Sequence, residues 1–390
     1  MKTSVQDCLD LINVVIEPLF SDLALHLRQS AFIAFYIARK LQLSENQIKD
    51  VFISASMHDL GLLLKNTHGD RLVTADVLSS HRDNGLQVEH EIAMLNRISN
   101  SLYVHESGCT LINDIVYFSD TFELYLRNQD KDYISYPEAL VDNFFTQHPE
   151  FRQEIVEAMK RLAKDDVFWL RLESSNMHRV LQRISPLRDS FITLDDLKDI
   201  CLILARIVDI HSSFTVTHST SVSRVAAKIA GLMGYPHELQ QKVGIAGYLH
   251  DIGKVYIPPE VLNKEGKLTR KERALMKKHS YKTLEMLTNI TSLQEITPWA
   301  ANHHERLDGT GYPFGLRGEE LDETSRIIAV ADVFTALTEN RPYRQGMALP
   351  QAMDILETEA AQGKLDKLIV NIVKSNIKTI FKCVGQIMPQ

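Results

Sequence analysis

Cysteine is scarce in this chain: four in 390 residues, at positions 8, 109, 201 and 383, with no CxxC pair. That excludes a disulfide framework, and Cys8, Cys109, Cys201 and Cys383 read as reduced thiols of a cytoplasmic protein. No apolar run approaches the length of a membrane span. The opening stretch "MKTSVQDCLDLINVV" carries no signal-peptide cleavage pattern. No membrane partner is therefore expected. Positive charge is not in excess either, since the net charge is −7. The chain is not built as a general binder of DNA or anionic lipid. An anionic substrate would have to be held locally, by metals or a few arginines. Low-complexity segments and Gly/Ser-rich linkers are missing, and no long stretch alternates with period two. Hydrophobic content of 44% and charged content of 24% lie in the ordinary globular range.

Helical periodicity fills most of the chain. Val222, Val225, Ala226, Ile229 and Met233 form one apolar stripe. "RIIAVADVF" (326–334) starts like a strand, but its continuation "TALTEN" is helical, so it reads as a buried helix. "TLDD" (193–196) reads as a capping box opening a helix to about Ile210.

Fifteen histidines stand out, many in repeated contexts. His218 precedes "HDIGK" (250–254) by 32 residues, and His26 precedes "HDLGL" (58–62) by the same 32. "HEIAML" (90–95) parallels "HSYKTL" (279–284), and "HE" at 105–106 parallels "HE" at 304–305. "DIVYFSDTFELYLRN" (114–128) parallels "RIIAVADVFTALTEN" (326–340), matching Asp120 to Asp332. A repeat of this length means two copies of one helical unit. The expected architecture is all-α: two tandem helical bundles joined by a helical connection, the first over 1–185 and the second over 193–390.

The second copy contains five histidines and two aspartates that suit metal ligation: His218, His250, Asp251, His279, His303, His304 and Asp332. Any one of them alone would ordinarily be a core residue with a satisfied side chain. As a set, imidazole with carboxylate suits iron, manganese or zinc better than calcium or magnesium. Seven ligands are too many for one metal and suit two, with one carboxylate bridging. Paired metals are a standard device for phosphoester hydrolysis. Lys254, one turn beyond His250, can point into the same site.

These residues carry a resemblance. "HDIGK", "HHERLDGTGYP" and "RIIAVADVFTALTENRPYR", with His218 and His279 before and between them, resemble the HD-GYP family of the HD phosphohydrolase superfamily over about 200–385. The resemblance implies HD-type helical bundles and a phosphodiesterase that linearises a cyclic dinucleotide, either cyclic di-GMP or 3′,3′-cyclic GMP-AMP. It implies two divalent transition metals, iron or manganese ahead of zinc, nickel or magnesium. His218, His250, Asp251 and Asp332 would hold one. Asp251 would bridge to a second, held also by His279, His303 and His304. Asp251 and Lys254 would be the catalytic pair. Lys254, Gly311, Tyr312, Pro313, Arg341 and Arg344 would contact substrate, the arginines through phosphate or a base. Phe214 stands where some relatives place a glutamate that recruits a third metal, so two are expected here.

The first copy keeps His26, His58, Asp59 and Asp120, the complete first-metal set, as a degenerate metal site. Val104 replaces the first histidine of the pair and Leu62 replaces the lysine. The loop is lost: 10 residues lead from His105 to Ile115, against 23 from His304 to Ile327. This copy is expected to be regulatory, through contacts with a second copy of the chain or a signalling protein. Two other readings fit parts of the pattern. A non-catalytic cyclic-dinucleotide sensor leaves seven ligands without purpose, and a mononucleotide phosphohydrolase leaves the second-metal histidines and the loop unexplained.

Overall fold

The computed structural model describes residues 2–59, 110–129, 133–212, 217–340 and 345–384. The chain divides into two compact units. One is formed largely by Leu19–Ile192, with Ser4–Leu9; the other begins at Thr193 and takes in Asp10–Pro18. Among the described residues the fold is all-α apart from a two-stranded sheet, Thr3–Ser4 with Phe191–Ile192, which the sequence did not announce. Two residues per strand are too few to show alternation. Among the described residues no helix is long and apolar enough to cross a membrane.

Helix α1 spans Val5–Ile16. In the first unit α2 spans Ser21–Lys40, α3 Glu45–Met57 and α4 Thr110–Arg127, followed by α5 Pro137–Gln147, α6 Gln153–Leu162, α7 Asp166–Leu172 and α8 Met177–Ile184. Leu23, Leu27, Ala31, Ala34 and Ala38 bury one face of α2 at three- and four-residue spacing. A capping box of Ser44 and Gln47 opens α3. The aromatic stretches of α4 and α5 are core: Phe118, Phe122 and Phe144 are wholly buried, with Phe118 and Phe122 rings 5.5 Å apart.

In the second unit α9 spans Leu194–His211, α10 His218–Leu232 and α11 His237–Leu249. The capping box expected at 193–196 is present, with Thr193 and Asp196 bonded to each other's backbone N–H. After α11 comes a 3-10 turn, Ile252–Tyr256, then α12 Pro259–Leu262, α13 Arg270–Met276, α14 Lys278–Thr288 and α15 Thr297–Ala301. Beyond the glycine-rich loop lie α16 Glu323–Thr338, α17 Leu349–Ala361, α18 Lys367–Ser375 and α19 Ile377–Phe381. Helix α16 contains "RIIAVADVF", and its Ile327, Ile328, Val330, Ala331 and Phe334 are fully buried. Burial on nearly every face explains why it lacked a clear helical stripe. Helix α13, basic in sequence, buries no residue.

Candidate metal centre

Helix ends and one turn bring the seven residues of the second unit together. His218 begins α10, His250 and Asp251 close α11, His279 lies in the first turn of α14, His303 and His304 follow α15, and Asp332 sits in α16. All except His304, whose side chain is 27% exposed, are nearly buried. The 3-10 turn must come close to α14 for this to happen. A Cβ on Gly253 would lie 2.0 Å from the His279 carbonyl oxygen, so only glycine fits. Thr283 ties the same contact: its hydroxyl donates to the His250 carbonyl at 3.0 Å and accepts from the Gly253 N–H at 3.1 Å.

Asp251 stands at the centre. Its Oδ2 is 3.1 Å from His250 Nε2 and 4.0 Å from His218 Nε2, while its Oδ1 is 3.4 Å from His279 Nε2 and 3.9 Å from His303 Nε2. Asp332 divides likewise, with Oδ1 3.2 Å from His218 Nε2 and Oδ2 3.7 Å from His304 Nδ1. Lys254 Nζ donates to Asp251 Oδ2 at 2.5 Å.

The outer nitrogens decide the tautomers. Nδ1 of His250, His279 and His303 each faces a backbone carbonyl three residues earlier, at 2.7, 2.6 and 2.7 Å. A carbonyl only accepts, so each Nδ1 carries a proton and each Nε2 is the nitrogen that faces inward. His279 and His303 bring theirs to 3.3 Å from each other. His250 Nε2 is buried with no hydrogen-bond partner despite its nearness to Asp251. Converging imidazole nitrogens and carboxylates with their outer atoms satisfied fit a divalent metal.

Glu339 and Glu305 also shape the site. Glu339 Oε2 accepts from His218 Nδ1 at 3.1 Å and its Oε1 from Thr217 at 2.7 Å. Glu305 is buried and accepts the backbone N–H groups of Phe314, Gly315 and Leu316 at 2.7, 3.1 and 2.9 Å. It staples the loop that follows the double histidine. Gly311 packs on the backbone of Glu305 and Arg306, where a Cβ would fall 2.4 Å from the Arg306 nitrogen. Tyr312 is thereby set with its ring 4.7 Å from that of His304, and Lys277 Nζ lies 5.0 Å over it. Pro313 follows in the same turn, after a cis peptide bond. Arg341, Arg344 and Phe214 lie outside the described residues.

Electrostatics sort the histidines into two kinds. Burial pulls the His218 pKa down, but Asp332 and Glu339 overcome it and raise it to about 10. Burial and neighbouring imidazoles lower His279 and His303, and bring His304 to about 3. Those three stay neutral at physiological pH and are ready to ligate. Burial would raise Asp251, yet His250 and Lys254 hold it well below the carboxylate range. Lys254 is raised by Asp251 against the pull of burial, and so stays charged.

The first unit holds a smaller cluster of the same kind, made by His26 in α2, His58 and Asp59 after α3, and Asp120 in α4. Leu62, His90, Val104 and His105 lie outside the described residues, as does Cys109. Cys8, Cys201 and Cys383 are in no disulfide.

Residues 203–369 match the HD domain family model. That region lies in the second unit and holds the motifs, so the resemblance drawn from them is borne out there. Among curated proteins it is similar to the 3′3′-cGAMP-specific phosphodiesterase 1 of Vibrio cholerae serotype O1. The two are 29% identical over 381 residues, which covers 92% of this chain and 88% of that protein. The 3′3′-cGAMP-specific phosphodiesterase 3 of the same organism is 25% identical over 400 residues, covering 85% and 86%. A cyclic di-GMP phosphodiesterase of Pseudomonas aeruginosa is 39% identical over a shorter 141 residues, 36% of this chain and 34% of that one. Among solved structures, a cyclic GMP-AMP specific phosphodiesterase of V. cholerae (V-cGAP3) shares the fold. Its TM-score is 0.57 at 19% identity, and the match covers 100% of this chain and 99% of that one.

Proposed function

We propose that the second unit is a binuclear-metal phosphodiesterase that opens a cyclic dinucleotide to its linear 5′-phosphorylated form, with 3′,3′-cyclic GMP-AMP the preferred substrate. The observation that carries this reading is the divided carboxylate of Asp251, one oxygen facing His218 and His250 and the other facing His279 and His303. That is the arrangement of a bridging ligand. His218, His250, Asp251 and Asp332 would hold one metal, and Asp251, His279, His303 and His304 the other. Iron or manganese suits this donor set. When bound, the metals supply Lewis acidity and an activated water for in-line attack on phosphorus.

The chain's own residues orient and neutralise. The Nδ1–H bonds fix the imidazoles, and Glu339 fixes His218. Lys254 spends one donor on Asp251 and keeps two for a phosphate oxygen. Tyr312, held by Glu305 and Gly311, lines the approach beside His304, and Arg341 and Arg344 take the second phosphate or a base. Support for 3′,3′-cyclic GMP-AMP over cyclic di-GMP comes from coverage. The relatives named for the former match most of this chain, while the cyclic di-GMP relative reported above matches about a third. We assign the first unit a regulatory role through contacts with a second copy or a signalling partner, and place the protein in the cytoplasm.

The test is hydrolysis of 3′,3′-cyclic GMP-AMP, cyclic di-GMP and cyclic di-AMP by manganese- and iron-loaded full-length protein, with products separated by chromatography. Linear product, fastest from 3′,3′-cyclic GMP-AMP, is expected. Tight binding with no cleavage of any of the three would make the protein a sensor and overturn the reading.

A further inference from the structure

The first unit repeats half of this chemistry. His26 and His58 face each other with Nε2 atoms 3.2 Å apart. His58 Nδ1 meets the Ala55 carbonyl at 3.0 Å, so it carries a proton and leaves Nε2 as the nitrogen that faces inward. His26 Nδ1 meets Glu123 Oε2 at 2.5 Å. Arg127 donates to both Glu123 oxygens at 2.6 and 2.9 Å. His26 Nδ1 therefore donates to Glu123, which leaves Nε2 as the nitrogen that faces inward. Asp120 Oδ1 lies 3.2 and 3.5 Å from the two Nε2 atoms, and Asp59 Oδ2 lies 3.7 and 3.8 Å from them. Asp120 Oδ1 is buried and in hydrogen-bonding geometry with neither ring. Two imidazole nitrogens and two carboxylate oxygens thus converge on one buried point, a donor set that a divalent transition metal fits.

The geometry also matches the first-metal half of the second unit. The His26 and His58 rings lie 5.2 Å apart at 63°, and the His218 and His250 rings 5.5 Å apart at 62°. The aspartate on the long helix is 3.2 Å from the first histidine in both. Yet the outer carboxylate is differently placed: Glu123 follows Asp120 by one turn, while Glu339 follows Asp332 by two. Decay would not be expected to keep the inner geometry while supplying its histidine with an outer partner from a new position.

We propose that the first unit binds a single divalent transition metal through His26, His58, Asp59 and Asp120, and that this ion is structural. It would fasten α2, the end of α3 and α4 together. It would not catalyse: by sequence Leu62 stands in place of the lysine, Val104 in place of the first paired histidine, and the loop is gone. The full chain would then hold three metals, two in the second unit and one in the first.

Two measurements on the full-length, manganese- or zinc-loaded protein test this. Elemental analysis should give about three ions per chain in the wild type and about two in His58→Gln or Asp120→Asn, with turnover of 3′,3′-cyclic GMP-AMP within about two-fold. Anomalous scattering at the metal edge should show one peak among His26, His58 and Asp120, a readout that needs no variant. Metal in the second unit with no peak in the first overturns this inference alone and means that a proton bridges the two imidazoles. Loss of metal from the second unit only, with the first-unit peak kept, would count against the catalytic reading and not against this one.

Discussion

Gly253→Ala tests whether the site depends on the close approach of the 3-10 turn to α14. The added Cβ would lie 2.0 Å from the His279 carbonyl oxygen and 2.7 Å from the Thr283 nitrogen, both backbone atoms. Ordinary contact begins at 3.4 Å, so turn and helix must part by more than an ångström. His279 rides on α14, and its Nε2 is only 3.4 Å from Asp251 Oδ1. The substitution should therefore separate His279 from Asp251, the residue proposed to bridge. Forced overpacking costs about 1–3 kcal/mol or more, and a 1 Å misplacement at a reacting centre costs about 100-fold in rate. Denaturant unfolding of the chelated protein reads the first, while metal content and turnover read the second. A variant that folds, keeps its full metal content and turns over within two-fold of wild type would refute the reasoning.

Three further outcomes follow from single contacts. Glu339→Gln weakens the hold on His218 and should lower affinity for one metal by about 10–100-fold, read by competition with a chelating dye; unchanged affinity would contradict it. Glu305→Ala strands three backbone N–H groups in the loop. It should raise KM more than it lowers kcat, whereas a change in kcat alone would place the loop's role elsewhere. In metal-free protein burial opposes the charge on His218, but Asp332 and Glu339 raise its pKa to about 10. The stability from that charge is complete below the ordinary value of 6.5 and is lost as pH rises towards 10. Metal must displace this proton, so a pH-stat titration at pH 8 should record proton release on loading, and none would contradict the assignment.

The clustering of the seven residues was legible in the sequence because metal chemistry would fix both residue type and spacing. The internal repeat then showed which histidines travelled together. The residues around the ligands were less legible. Glu123 and Glu339 serve the same atom of equivalent histidines from different turns of their helices, so aligning the two copies does not pair them. Glu305 was visible only as part of an "HE" repeat. Its task, three backbone N–H groups 9 to 11 residues ahead, appears only once the loop folds back. Lys254 was expected to point into the same site, and the 3-10 turn that brings it round to the Asp251 carboxylate left no mark in the sequence. The two-residue strands leave no periodic trace at all.

We propose that one carboxylate in the second unit, that of Asp251, organises the reaction. Turnover of 3′,3′-cyclic GMP-AMP by metal-loaded full-length protein, compared between wild type and Asp251→Asn, tests it most directly. Wild type should yield the linear dinucleotide, and the variant should lose activity by about 1,000-fold or more, the scale of removing a principal electrostatic element of a site. A variant that cleaves as fast as wild type would contradict the account.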